Sequence, residues 1–184
     1  FARPDELGSN RRIDPEHAEK FGHLLVQDFQ GRIKPMNTHT LELLRKIHKK
    51  DTYNKGNVSI SSDQWFISMQ VDPGYWANEP LIMVGQIGGV QLLKETGAIA
   101  EGYTSYANLV DLNTGIFKLG KQNNKSFSKR KADQSNYDKG VIEVTERFNI
   151  FSNIAFGYYT NVVPVKNDPA QTWISWIYSS DENT

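Results

Sequence analysis

The strongest constraint on the fold is a helical repeat of apolar residues late in the chain. Apolar residues recur there at alternating steps of four and three, the spacing of one helical face: Tyr137, Val141, Val144, Phe148, Phe151, Ala155 and Tyr158. Four more apolar residues widen this face in the second half: Ile150, Ile154, Phe156 and Tyr159. The pattern predicts a long, central, buried helix of about 24 residues and about 36 Å.

Short strands and further helices are predicted around this helix. An apolar run over 21–29 and a basic run over 32–35 flank a Gln30-Gly31 turn, which favours an N-terminal hairpin that Pro35 ends. Ser61 or Ser62 is placed to cap another helix, and the segments 161–166 and 172–178 are predicted to be closing strands. The expected fold class is α+β and mainly helical, with a long central buried helix, a small N-terminal hairpin and short C-terminal strands.

The domain organisation follows from polarity along the chain. Residues 1–16 are polar and predict a flexible N-terminal linker, residues 179–184 predict a polar tail, and one domain is expected over 17–178. No run of about 18 apolar residues occurs, so no membrane span is expected in this segment.

The segment 118–131 is rich in Lys and Arg and has no acid. It predicts an exposed, mobile loop, with attraction to an acidic partner or anionic lipid as the alternative.

Composition and motifs exclude several kinds of chemistry. The 184-residue chain has a formal net charge of zero, so nucleic acid is not an expected partner. It has no Cys, which excludes disulfides, thiolate metal sites and Cys nucleophiles. The four histidines, His17, His23, His39 and His48, form no metal-binding pattern, although a single histidine can serve as an axial haem ligand. No catalytic motif is present, so the segment is not expected to be an enzyme by itself.

The N-terminal hairpin carries the best candidate contact surface. Its polar residues are Asp28, Arg32, Lys34, Asn37 and Thr38. They could converge on an anionic group or a peptide backbone. The alternative is structural: an Asp–Arg ion pair across the turn, followed by Asn37 or Thr38 as the N-cap of a helix.

Several segments together resemble a known family. Residues 16–54, "EHAEKFGHLLVQDFQGRIKPMNTHTLELLRKIHKKDTYN", are followed in order by "DQWFISMQVDPGYWANEPLIMV", "YTSYANLVDL…GIFKL", "NYDKGVIEVTERFNI" and "VVPVKNDPAQTWIS". These pieces resemble the large membrane proteins of system II cytochrome c biogenesis, of the fused ResB/CcsA type found in Bacteroidetes and related bacteria. The likeness runs from about His17 to Trp176.

The resemblance implies an extracytoplasmic domain on the periplasmic side of the bacterial inner membrane, attached to the transmembrane remainder of the same protein. Proteins of this family attach haem to CxxCH sites of apocytochrome c, which is therefore the implied partner. The family's haem-contacting tryptophan-rich WWD segment is missing, because "TWISWIY" departs from it. Haem is thus expected to be handled by the parent protein, and no cofactor, metal or catalytic residue is assigned to this segment.

Two other functions remain open at the level of sequence. The chain could be a stand-alone periplasmic domain that binds a ligand or a peptide. It could also be a soluble hydrolase that uses His23 or His39 together with Asp28.

Overall fold

The computed structural model describes residues 13–179 and has the expected α+β, mainly helical fold. Its helices are α1 Pro15–Gly22, α2 Met36–His48, α3 Ser62–Val71, α4 Pro73–Asn78, α5 Gly89–Glu95, α6 Tyr106–Leu109, α7 Gly120–Ser128 and α8 Asn136–Ala155. Its strands are β1 Leu25–Gln27, β2 Ile33–Pro35, β3 Thr52–Lys55, β4 Val58–Ser61, β5 Ile82–Met83, β6 Tyr103–Thr104, β7 Asn161–Pro164 and β8 Trp173–Ser175. Consecutive strands pair antiparallel into four two-stranded sheets. None of the helices described is long and apolar enough to cross a membrane.

The chain forms two compact units. Within the described residues, the first comprises 13–46, 50–73 and 152–179, and the second comprises 47–49 and 74–151. Helix α1 already includes residues 15 and 16 of the predicted linker, while residues 1–12 and the tail from 180 onward lie outside the described residues. The boundaries of one domain over 17–178 stay a prediction.

The first unit begins with a helix that includes the first two residues of the predicted strand. Asp14 accepts a hydrogen bond from the His17 N–H at 2.9 Å, and Pro15 occupies the first helical position. These are N-terminal helix signals, so Phe21 and Gly22 belong to α1 and the strand is confined to Leu25–Gln27. The hairpin itself is confirmed, with Val26 opposite Lys34 and Pro35 as the last residue of β2.

The cap predicted for α2 is wrong. The helix begins at Met36, directly after the hairpin, so Asn37 and Thr38 lie inside its first turn. The Met36 N–H donates to the carbonyl of Leu24 at 2.7 Å, so a backbone group rather than a side-chain cap satisfies it. By contrast, the cap predicted for α3 is confirmed: Ser61 and Gln64 form a reciprocal capping box.

A glutamine side chain connects the N-terminal hairpin to the closing strands of the same unit. Gln27 donates from Nε2 to the carbonyl of Gln171 at 3.0 Å and accepts at Oε1 from the N–H of Trp173 at 2.7 Å. The two predicted closing strands are present as β7 and β8, which pair antiparallel. The apolar core of this unit includes Val26, Met36, Leu44, Trp65, Phe66 and Met69.

Helix α8 confirms the long helix that the apolar repeat predicts. Ser135 caps it, because its Oγ accepts from the Asp138 N–H at 3.1 Å while Asp138 accepts from the Ser135 N–H at 2.9 Å. Val141, Val144 and Phe151 are buried on the expected face. The stacked rings of Phe117, Phe148 and Tyr106 lie beside them in the second unit, with neighbouring centroids 4.2 and 4.6 Å apart.

The helix is shorter than predicted, with 20 residues. Gly157 has a φ of +76°, its N–H donates to the carbonyl of Ile154, and the Tyr158 N–H donates to the carbonyl of Asn153. This pair of bonds is a Schellman motif, which ends the helix. Phe156 and Tyr158 consequently lie beyond α8, and Phe156 is 65% exposed rather than buried.

The mobile loop expected at 118–131 is also wrong, because Gly120–Ser128 form helix α7. Two polar side chains of this segment are held by the start of α8. The Ser126 hydroxyl donates to Asp138 at 2.8 Å, and Lys129 pairs with the same carboxylate at 2.7 Å. These polar contacts, together with the buried side chain of Leu119, fix the segment.

Candidate functional site

The turn of the N-terminal hairpin is organised by the carboxylate of Asp28. Its Oδ1 accepts from the N–H groups of Gln30 at 2.9 Å and Arg32 at 3.0 Å, and its backbone carbonyl accepts from Gly31. Gly31 has a φ of +79°, a conformation that favours glycine. The turn is therefore rigid, because one side chain satisfies two of its backbone donors.

The second oxygen of Asp28 connects the turn to two cations. Arg32 Nε lies 3.0 Å and Lys34 Nζ 3.3 Å from Oδ2, and Lys34 Nζ lies 2.5 Å from Glu42 Oε2 on helix α2. Burial alone would raise the pKa of Asp28, but the hydrogen bonds from Arg32, Gln30 and Lys34 outweigh it and hold that pKa well below its usual range. The result is a linked group of two carboxylates and two cations.

Helix α2 adds a buried histidine beside this charged group. His39 is only 4% exposed, and its Nε2 lies 3.2 Å from the backbone carbonyl of Tyr159. Burial, and then the positive charge of Lys34, lower the pKa of His39 to about 4. The imidazole is therefore neutral at neutral pH.

These groups line a cavity of about 300 Å³ within the first unit. One wall is aromatic: the ring of Phe29 meets that of Tyr159 edge to face, with centroids 4.8 Å apart. Lys34 is mostly buried in the lining, with 14% of its side chain exposed. Arg32 and Glu42 are much more open, at 65% and 51%. The cavity thus offers an accessible donor, an accessible acceptor and an aromatic wall.

The structure brings together three of the five residues predicted as a contact surface. Asp28, Arg32 and Lys34 line the cavity, whereas Asn37 and Thr38 are exposed in the first turn of α2 and do not line it. The Asp–Arg pair of the structural alternative is present as well. Sequence reasoning missed His39 as a lining residue, together with Glu42 and Tyr159. Only Glu42 carries a local signal, since an acid on α2 can reach a lysine on the adjoining strand.

The hydrolase pairing proposed for these residues is not assembled. Both oxygens of Asp28 are occupied by the hairpin, and Nε2 of His39 faces the carbonyl of Tyr159 rather than Asp28. His23 is exposed at the end of α1. The part of the chain that the structure describes has no group of three or more metal-ligating His, Cys, Asp or Glu side chains.

The buried histidines do not fit haem ligation. His39 uses Nε2 for the Tyr159 carbonyl, and its Nδ1 is enclosed by protein. His48 lies with Nδ1 3.0 Å from the carbonyl of Leu81, and its ring packs 4.6 Å from that of Tyr103. His39 therefore presents no accessible nitrogen to an iron atom, and His48 is only 5% exposed.

Comparison with known proteins gives one informative similarity. No protein-family model matches the chain. The chain is 26% identical over 169 residues to Protein NrfI of Wolinella succinogenes. The alignment includes 92% of this chain but spans 18% of the relative's length. The similarity supports a relationship to cytochrome c biogenesis, and that support does not extend to the narrower fused ResB/CcsA type.

Proposed function

We propose that this chain is an extracytoplasmic domain of a membrane protein of cytochrome c biogenesis, and that it positions apocytochrome c for haem attachment. In this proposal the parent protein is of the fused ResB/CcsA type, and the domain faces the periplasm. The similarity to Protein NrfI and the ordered motifs support the biogenesis part. Haem handling and bond formation belong to other parts of the parent protein.

The cavity beside the hairpin supports the positioning role. A surface that holds a flexible peptide gains affinity when it is rigid beforehand, because less conformational entropy is lost on binding. Asp28 fixes the turn, while Lys34 links that turn to helix α2 through Glu42. The exposed Arg32 guanidinium and the exposed Glu42 carboxylate can then bind the carbonyl and N–H groups of a peptide, and Glu42 can also bind a histidine ring.

The proposal is tested by titrating the purified domain with a CxxCH-containing peptide and with a scrambled peptide of the same composition. Isothermal titration calorimetry should give a tighter dissociation constant for the CxxCH peptide by about fivefold or more, which is about 1 kcal/mol. Equal affinities for the two peptides would refute recognition of the CxxCH sequence by this domain.

A matched pair of variants locates the binding surface. Arg32→Gln removes the exposed guanidinium that pairs with Asp28, and we expect it to weaken CxxCH binding severalfold. Arg130→Gln removes an even more exposed guanidinium, which pairs with Asp133 in the second unit, and it should leave binding unchanged. Circular dichroism of both variants checks that the fold is intact. Equal binding by the two variants would remove the hairpin from the contact surface.

A further inference from the structure

We call the cavity lined by Asp28, Arg32 and Lys34 the charged cavity. A second cavity lies next to it in the first unit. It has a volume of about 340 Å³ and is formed by the β7–β8 strand pair, the last turn of α8 and the hairpin turn. Phe29 lines both cavities, so its ring separates the charged cavity from this second cavity. We call the second cavity the aromatic groove, after the four rings that line it: Phe29, Tyr158, Trp173 and Tyr178.

The rings of the aromatic groove are accessible to a ligand. Phe29 is 65% exposed, and Tyr178 and Tyr158 are 47% and 41% exposed. Tyr158 and Tyr178 stack with their centroids 6.2 Å apart, which gives the groove one broad aromatic wall. Large exposed rings that are grouped around a concavity are typical of binding surfaces rather than of an ordinary protein surface.

Two carboxamides give the groove a polar component. Asn153 lies in the last turn of α8 and Asn161 is the first residue of β7, and both are partly buried. Among residues 13–179, neither side-chain amide has a hydrogen-bond partner. Partly buried polar groups normally pair with protein or water, so these two amides are available to a ligand that can bond with them.

We propose that the aromatic groove binds an extended polypeptide segment, by its main chain and its apolar side chains. A carboxamide has one acceptor and one donor group, the same pair that each peptide unit presents, so Asn153 and Asn161 are complementary to a backbone. Aromatic-lined grooves bind proline-rich extended peptides, and hydrogen bonds to a peptide main chain give affinity that does not depend on the side chains. A lipid acyl chain would leave both amides unpaired, which makes it the poorer occupant.

This inference rests on the proposed function and extends it. The charged cavity would bind the polar part of the peptide, and the aromatic groove would bind the adjoining segment on the far side of Phe29. Selection of CxxCH then belongs to the charged cavity, whereas the groove adds affinity for any extended segment.

The test measures binding of fluorescently labelled CxxCH and scrambled peptides by anisotropy. The double variant Asn153→Ala/Tyr178→Ala removes one amide and one ring, and we expect both peptides to bind about tenfold more weakly. The matched control, Asn124→Ala/Phe127→Ala, removes an exposed amide and a 73% exposed ring on helix α7 and should bind as the wild type does. Thermal unfolding of both variants checks their folding.

The outcomes separate this inference from the proposed function. If the two peptides bind equally and the groove variant weakens both, the groove is supported and CxxCH recognition is refuted. If the CxxCH peptide binds more tightly and the groove variant matches its control, the groove is refuted and the proposed function stands. Absence of binding by either peptide would overturn both, as would binding of phosphatidylcholine vesicles, but of neither peptide, at the groove.

Discussion

The Nδ1 atom of His39 is a buried acceptor that no donor reaches among the residues described. A backbone carbonyl can only accept, so the neutral ring must carry its proton on Nε2, which faces the carbonyl of Tyr159. Protonation of Nδ1 would place a charged ring in an enclosed site beside Lys34. Burial and this positive charge together explain why the pKa of His39 is lowered from 6.5 to about 4.

This residue should make stability depend on pH between 6.5 and 4. In that interval the unfolded chain binds a proton at His39 and the folded chain does not, so stability is complete above pH 6.5 and falls as the pH falls toward 4. We expect the wild type to lose roughly 2 kcal/mol more than His39→Gln between pH 7 and pH 4.5. Urea unfolding at the two pH values measures this difference. His23→Gln, which changes an exposed histidine, is the control, and equal losses in all three proteins would contradict the assignment.

At the scale of elements, helix α8 is defined by the polar contacts at its start and by the glycine after its end. Ser135 and Asp138 close its first turn, and Asp138 also binds Ser126 and Lys129 of the preceding segment. The hydrogen bonds from Lys129, Ser135 and Ser126 hold the pKa of Asp138 well below its usual range. The same carboxylate thus caps one helix and fixes another.

Replacement of the terminating glycine should destabilise the fold. In Gly157→Ala the alanine would have to adopt the left-handed backbone conformation. Its Cβ would also lie 3.2 Å from Ile177 Cγ2. We expect a loss of about 1–2 kcal/mol in the free energy of unfolding, measured by chemical denaturation. Gly120→Ala is the matched control, since its Cβ would have no neighbour nearer than 4.0 Å and it begins a helix. A loss equal to that of the control would show that Gly157 is not required by its conformation.

The sequence predicts the interior of each element better than its ends. The apolar repeat gives α8, and the Gly and Pro positions give the N-terminal hairpin, because these signals are local. The helix within 118–131 is not predictable from composition, because the polar residues Ser126 and Lys129 are held in place only through Asp138. The candidate site follows the same division between local and distant contacts. Sequence predicts Asp28, Arg32 and Lys34, because they lie close together in one hairpin. It does not predict that His39 contacts Tyr159, because the two residues are 120 positions apart.

At the scale of the whole molecule, the chain corresponds to a small part of a longer relative. Its alignment spans 92% of its own length and 18% of that of Protein NrfI. It has no Cys, and its acidic and basic residues balance. The absence of Cys from this chain makes it suitable for determining on which side of the membrane it lies, because a single introduced thiol can be labelled at a chosen position.

The proposed periplasmic location predicts the labelling of such a thiol. In the intact parent protein, Asn124→Cys places a thiol on an exposed position of α7, and it should react with a membrane-impermeant maleimide in whole cells. Val144→Cys, at a buried position, is the control and should react only after denaturation. Labelling of the unsubstituted parent gives the background. Reaction of Asn124→Cys only after the cells are permeabilised would place the domain in the cytoplasm and contradict the proposal.

The hydrogen bonds of the Gln27 side chain bear on the order in which parts of the protein fold during synthesis. Its two partners, Gln171 and Trp173, lie 144 and 146 residues further along the chain. During synthesis the hairpin therefore leaves the ribosome long before the strand that holds it, and such distant contacts form slowly. The contacts of the hairpin with the closing strands can therefore form only after the residues up to Trp173 have left the ribosome.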